Sequence, residues 1–513
     1  MKTINAKRLI QNKYFQNGFW IIFGKVLQMA IGFIINIFVT RFLGTTNYGS
    51  ISYVASFISF FSTICGLGIN AIIINQFVLN KDKQGEILGT SLALKLIASI
   101  VSYGAFILLM FVVEQGDETM IYLSIIQGTA LFFSVFDCIN FWYQYQLKAK
   151  RNAIIQLVAY LVVAVYRIIL LVLKKSIYWF AVANALDLIV VAILLLIFYK
   201  VDKGPKFSFS LSAAKRILKQ SYHFIISGLM IVIYAKIDTV MIGNMMTKAD
   251  VGLYTIAVNL SAIFGVVPNA VIETFRPSIF EAKANGDREG FVRKMKYLYF
   301  SVFWVSALYA IFITIFAKFV IMLLYGAEFE GSIGALRVAV WYTLFSYIGT
   351  CKNVWLIAEG HQKYEKYFTI FGALTNVLLN FFLIQYMGIV GAALATVVTQ
   401  FVTNFLALLL FKNTRPNVKY MAEAFIGKGV LYGQGNFIAK LKAKNEQSTE
   451  NENVSNEVSV DDTIDNEVNE EVIDDIDKDD DNRDADDGTV ENMQEETQYQ
   501  KDEGDAKDEK GKI

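Results

Sequence analysis

The chain has 513 residues, of which 55% are hydrophobic and 14% aromatic against 18% charged, with 41 Phe, 26 Tyr, 4 Pro and 3 Cys. A water-soluble fold of this length would bury that much apolar surface badly, so lipid is the expected solvent, and three cysteines inside apolar runs (Cys65, Cys138, Cys351) argue against a disulfide framework or a cysteine metal site. The formal net charge of +1 conceals a basic body followed by an acidic C-terminal stretch.

The N-terminal arm, residues 1–16, carries Lys2, Lys7, Arg8 and Lys13 and enters an apolar stretch with Gly18, Gly24 and Gly32 but no small-residue cleavage pattern. This predicts an uncleaved first span rather than a removable signal. About twenty apolar residues cross a hydrocarbon core. Runs of that length recur twelve times: about 17–39, 48–73, 88–113, 119–142, 153–173 and 177–199, then 222–246, 253–275, 298–321, 333–357, 366–386 and 389–411. No alternating barrel pattern is visible, and an open sheet would leave its backbone unsatisfied in lipid, so the predicted class is an all-α integral membrane protein of about twelve helices.

Orientation follows from the short loops. If every run crosses once, the N-terminal arm, Lys81/Lys83, Lys148/Lys150/Arg151, the stretch from Lys200 to Lys219 and the cluster Lys283, Arg288, Arg293, Lys294 and Lys296 share one side. The positive-inside bias assigns that side, and both termini, to the cytoplasm. Glu114, Asp117, Glu118, Glu328 and Glu330 fall on the other side, with Lys174/Lys175 as the exception.

The longest basic connection, 200–221, divides the spans six and six and reads as a linker between bundles at 1–199 and 222–412. Asn47-Tyr48-Gly49-Ser50-Ile51-Ser52-Tyr53 opens the second span and Asp250-Val251-Gly252-Leu253-Tyr254-Thr255-Ile256 opens the eighth, an echo that suits parallel repeats about the membrane normal. The simpler alternative is that Gly-aromatic sequences recur at span starts. Beyond Phe411, a basic juxtamembrane segment, 413–444, follows Lys412 and contains Arg415 and Lys419; residues 420–440 are mixed and glycine-broken, too weak for a span, and could form an interfacial helix. Residues 445–513 are rich in Asp, Glu and Asn and almost free of aromatics, a composition expected to remain disordered. Their carboxylates do not match a calcium-loop pattern.

Charges inside spans are the informative minority, because each costs about 2.5–3.5 kcal/mol near a helix centre unless it faces protein or water. Lys25, Lys95, Arg167 and Lys236 are the buried cations, and Asp137, Asp187 and Asp238 the buried anions. Lys25 and Lys95 lie near helix ends and could snorkel; the others could pair to fix helix packing. Lys236 and Asp238, two residues apart, point about 200° apart on a helix and should not meet each other. Several cations within one bundle suit a hydrated cavity for an anionic substrate, with Arg gripping phosphate in a fork and Lys acting as a point charge. The carboxylates would balance them or couple a proton or sodium ion. His223 and His361 lack metal-ligand partners and read as solvated residues. No phosphate-binding glycine loop, catalytic constellation or large outward loop is visible, so neither a nucleotide cofactor nor an enzyme is expected.

Arg41-Phe42-Leu43-Gly44, then Asn47-Tyr48-Gly49 and Gly66-Leu67-Gly68-Ile69-Asn70, resemble the start of polysaccharide-biosynthesis flippases of the Wzx type, in the multidrug/oligosaccharidyl-lipid/polysaccharide exporter superfamily. Asp238-Thr239-Val240-Met241-Ile242-Gly243 leading to Val251-Gly252-Leu253-Tyr254 is similar to that family's seventh-to-eighth span junction, and Gly388-Ile389-Val390-Gly391-Ala392-Ala393-Leu394-Ala395-Thr396 to its last span. The likeness covers about residues 10–412 and leaves the acidic stretch outside. It implies two six-helix bundles around a cationic cavity, alternating between inward-open and outward-open states in a bacterial plasma membrane. It further implies an undecaprenyl-pyrophosphate-linked oligosaccharide as cargo, with membrane lipids and polysaccharide assembly proteins as partners and no nucleic acid. Arg41 and Asp238 are carried over as candidate functional residues by their match to the family's motifs. The alternatives within the superfamily are a cation-coupled multidrug exporter and a lipid II flippase; a polytopic glycan polymerase is the rival outside it.

Overall fold

The structure, a computed structural model, describes the backbone of residues 13–430 and the side chains of residues 28–430. The side chain of Lys25 and the acidic stretch therefore lie outside the described residues. Within them the chain is helical and contains no strand: α1 (Lys13–Cys65), α2 (Ile73–Leu79), α3 (Gln84–Val113), α4 (Glu118–Gly128), α5 (Ala130–Phe133), α6 (Asp137–Tyr145), α7 (Ala149–Val172), α8 (Ile177–Val201), α9 (Leu211–Met245), α10 (Lys248–Ala262), α11 (Val266–Ala284), α12 (Arg288–Leu324), α13 (Ser332–Ala358), α14 (Glu365–Asn404) and α15 (Arg415–Phe425).

Nine helical stretches among the described residues are long and apolar enough to cross a membrane. Two of them contain a glycine whose backbone no other residue adopts readily: Gly44 in α1 (φ 71°) and Gly388 in α14 (φ 57°). Each glycine breaks its helix into two crossing segments. With α13, which is 27 residues long but carries Arg337 and Lys352, they make up the twelve segments that the hydropathy pattern predicts.

The outside of this bundle is apolar. Leu96, Ile97, Val101, Leu108 and Val112 on α3, and Leu308, Ile315, Phe319 and Leu323 on α12, are all exposed. Leaving a large aliphatic side chain in water rather than burying it costs about 1.5–3 kcal/mol, and patches this extensive on helix after helix require a bilayer. The chain is thus a multi-pass membrane protein.

Inside, one apolar core joins Tyr53 and Val54 of α1 to Val251 and Ala257 of α10 and to Leu336 and Val340 of α13. A second gathers Phe77, Trp142, Tyr143, Leu195 and Tyr199, and a third gathers Phe291, Met295, Trp355, Phe368 and Met421. The connection between α8 and α9 is shorter than the 200–221 linker read from the sequence, because α8 runs through Val201 and Ser210 caps α9 by accepting the Ala213 N–H at 3.3 Å. It lies flat on α3: a Cβ on Gly85 would sit 2.2 Å from the Lys206 carbonyl oxygen, and one on Gly89 2.5 Å from that of Ser208. The Tyr199 hydroxyl donates to Pro205 O at 2.5 Å, which pins the connection further.

Candidate functional site

After Gly44 breaks α1, the second segment places Ser52, Ser56 and Ser59 at helical spacing on one face. That face, together with α9 and α10, encloses a polar cavity of about 190 Å³. Ser56 and Ser59 donate to their own helix, to Ser52 O and Ala55 O at 2.9 Å each, so they satisfy themselves while presenting hydroxyl oxygens. The exposed Asn259 donates to the Tyr48 hydroxyl at 3.3 Å across the cavity, and Asn36 donates to the same oxygen at 3.4 Å.

Lys236 is exposed along the wall of this cavity, in the interior of α9. Asp238, two residues on, also lines this cavity but is only 5% exposed. Its Oδ1 accepts from the Thr239 N–H at 2.7 Å and the Thr239 hydroxyl at 3.3 Å, and its Oδ2 accepts a short hydrogen bond from the buried Tyr254 hydroxyl. Thr396 Oγ1 lies 3.4 Å from that hydroxyl. Lys236 and Asp238 form no ion pair with each other among the described residues, and the carboxylate is held by Thr239 and Tyr254.

At one end of the bundle, contacts join residues before 115 to residues after 247. Gly49 and Gly252 meet where α1 crosses α10. Lys248 pairs with Glu114 at 3.0 Å, donates to Gly243 O at 3.1 Å and sits 3.4 Å from the centre of the Tyr53 ring. Arg41 donates to Leu323 O at 2.6 Å, satisfying a carbonyl at the C-terminus of α12. The Thr45 N–H, freed by the break at Gly44, donates to Glu328 at 2.8 Å.

The opposite end carries the basic loops. Glu359 accepts from Lys283 at 2.8 Å and from Arg288. Burial alone would raise its carboxyl, but those two hydrogen bonds and the charges behind them hold it below the usual range. The hydrogen bond from Lys296 at 2.5 Å likewise lowers Glu423 on α15.

The remaining candidates are dispersed. Lys95, 3% exposed, and Asp137 line a cavity inside the N-terminal part of the bundle. Arg167 donates to Asn184 at 3.1 Å, Asn184 donates to Gln127 at 3.1 Å, and Asp187 lies within reach of the Arg167 charge. Arg41 is at the end where Lys248 pairs with Glu114. Lys236 and Asp238 thus share the wall of one cavity, and Lys95 and Asp137 that of another. His361 packs between the rings of Trp355 and Tyr364, at 5.8 and 5.9 Å, and His223 is exposed. No cluster among the described residues has the groups to hold a metal ion.

Sequence reasoning overlooked Lys352, which is fully buried on α13, pairs with Glu365 at 2.9 Å and donates to Asn404 at 3.1 Å. It also overlooked the buried amides that extend this seam along α14: Asn404 donates to Gln400 at 2.8 Å and Asn380 to Asn376 at 3.1 Å. The signal was present, since both amide pairs recur at a spacing of four within apolar runs.

A family profile described as polysaccharide biosynthesis protein matches residues 14–283, and one described as MatE matches residues 224–382. A curated relative, the probable flippase AglR of Haloferax volcanii, is 25% identical over 205 residues, which is 39% of this chain and 43% of that protein, so the chain spans under half the length of the relative it matches. Among solved structures, the lipid II flippase MurJ in an inward closed conformation is similar with a TM-score of 0.61 at 15% identity, over 80% of this chain and 92% of that one. A multidrug resistance MATE family transporter in an inward-facing conformation is similar with a TM-score of 0.59 at 17% identity, over 77% and 96%. At these identities the structures establish a shared fold. The polar cavity and the crossing glycines, between Tyr48 and Asn259, fall wholly within the stretch matched by the first profile, and the chain belongs to the polysaccharide biosynthesis protein family.

Proposed function

We propose that this chain is a flippase that carries a lipid-linked oligosaccharide across a bacterial plasma membrane by alternating access, with an undecaprenyl-pyrophosphate carrier as the lipid. The observation that carries the reading is a cation, Lys236, exposed to a hydroxyl- and amide-lined cavity in the interior of a membrane-crossing helix. An unpaired ammonium in hydrocarbon is costly; one facing a polar cavity attracts phosphate. Serine hydroxyls and Asn259 suit the hydroxyls of a glycan, while the prenyl chain stays in lipid. The seal at Gly49/Gly252 and Lys248/Glu114 is the outward gate on this reading, and the basic loops mark the cytoplasmic side, where both termini lie. The two halves, divided at residues 202–210, would rock about the cavity. The other candidate cations, Lys25, Lys95, Arg167 and Arg41, contribute to the path rather than to one phosphate cradle.

Mass spectrometry of prenyl-linked intermediates tests this directly. Depleting the protein should cause a cytoplasmic-face prenyl-pyrophosphate oligosaccharide to accumulate, and Lys236→Gln should reproduce that build-up at unchanged protein abundance. Normal intermediates in both cases would reject the proposal. A cation-coupled drug exporter is the second reading, favoured by the carboxylate of Asp238 held beside the cavity; resistance to cationic drugs on expression, without any change in glycan intermediates, would select it.

A further inference from the structure

A second cavity, of about 340 Å³, lies between α1, α3, α6, α7 and α8 and shares no lining residue with the one at Lys236. Its size sits at the low end of small-molecule sites, roughly 300–1,000 Å³, and equals the volume of about ten waters. That is too large for a lone ion. Lys95 projects into it, donates to Asn70 Oδ1 at 2.7 Å and belongs to none of the ion pairs among the described residues. Asn140, 5% exposed, donates to Asp137 Oδ1 at 2.5 Å, while its own Oδ1 is buried without a hydrogen-bond partner.

These groups exclude most ligand classes. An anion would satisfy Lys95 but brings no donor for Asn140 Oδ1 or for the second oxygen of Asp137. A metal cation would meet the ammonium of Lys95. An apolar molecule would leave the Asn140 amide oxygen and the Lys95 N–H groups not directed at Asn70 without partners, at about 1–3 kcal/mol for a neutral group and more for a charged one. A ring bearing several hydroxyls meets every requirement: its O–H groups donate to Asn140 and Asp137, and its oxygens accept from Lys95 and the side-chain amide of Gln156. The ring of Phe133, also on the wall, offers an apolar surface for the C–H face of such a molecule.

We propose that this cavity binds one sugar residue of the transported glycan, a saccharide subsite separate from the phosphate-attracting cavity; the assignment rests on the flippase reading above. The purified full-length chain should unfold at a higher temperature, saturably, in at least one of glucose, galactose, N-acetylglucosamine or glucuronate at roughly 1–100 mM, because only a ligand of the folded state shifts the midpoint. Asn140→Leu should weaken that apparent affinity at least about tenfold, or ~1.4 kcal/mol. Gln156→Leu, at a half-buried position, should weaken it too and keeps the test decisive if the first variant does not fold. Absence of any saturable shift, an equal shift in both variants, or stabilisation by sodium or chloride in place of sugars would overturn the subsite. Translocation of lipid-linked glycan in reconstituted vesicles separates the two proposals: transport that persists without sugar binding removes the subsite alone, whereas a wild-type chain that moves no such glycan removes the flippase reading.

Discussion

Where α1 crosses α10, a Cβ on Gly49 would lie 1.7 Å from Lys248 O, and one on Gly252 2.2 Å from Thr45 O. Both obstacles are backbone, so Gly49→Ala must push the helices apart, at about 1–3 kcal/mol for overpacking. The expected outcome is an opened seal: a membrane-impermeant thiol reagent applied from that end labels Ser52→Cys faster in the Gly49→Ala background, and unchanged labelling would show that the crossing is not a gate. The neighbouring ion pair behaves differently. Its Glu114 side chain is only 9% exposed, so Lys248→Met leaves a buried charge without its partner, a change worth about 3–5 kcal/mol in such settings. Replacing both partners, as Lys248→Met with Glu114→Leu, should recover most of that loss in thermal unfolding, and a strictly additive pair would mean no coupling. Neither contact was legible from sequence. The glycines were visible as an echo between spans, but that they touch each other depends on how two distant helices cross.

The amphipathic helix α15 shows what an element gains from its neighbours. Its polar face is clamped by Lys296 on Glu423, and its apolar face sinks Met421 and Ala424 into the core that contains Phe291 and Met295. Met421→Ala should cost about 2–5 kcal/mol as a core truncation, read as faster amide exchange across 415–425 with little change in α12. The clamp also carries a pH signature. The carboxyls of Glu359 and Glu423 are held below their unfolded values, so their stabilisation is complete above the ordinary glutamate range, about pH 4.3, and is lost as pH falls through their depressed values. Exchange protection of α15 should therefore be flat from pH 8 to 6 and decline only in acid, and a loss near pH 6.5 would point to another group. The sequence offered an interfacial helix over about 420–440, whereas the helix that forms, α15, covers Arg415–Phe425, and residues 431–440 lie outside the described residues. It did not place the start of α9 at Leu211, since that depends on the Ser210 cap and on a connection that lies in the glycine notch of α3.

For the molecule as a whole, every residue lining the two polar cavities lies between Tyr48 and Asn259. Truncation after Lys444 should accordingly leave glycan translocation intact in vesicles, and a complete loss would assign the acidic stretch a working part in transport. The class of fold, the lipid solvent and the twelve crossing segments were determined by the sequence alone, because apolarity over about twenty residues acts locally; that the gaps between runs at 40–47 and 387–388 turn on Gly44 and Gly388 came from the structure. Tertiary structure decided the fate of the charges. Lys95, Arg167, Lys236 and Arg41 look alike as cations in apolar surroundings, yet one lines a cavity among the N-terminal helices, one is held by an amide chain, one is exposed to the cavity at Asp238 and one caps a distant helix. Which of these happens depends on what the adjacent helices present, and a helix carries no local record of its neighbours.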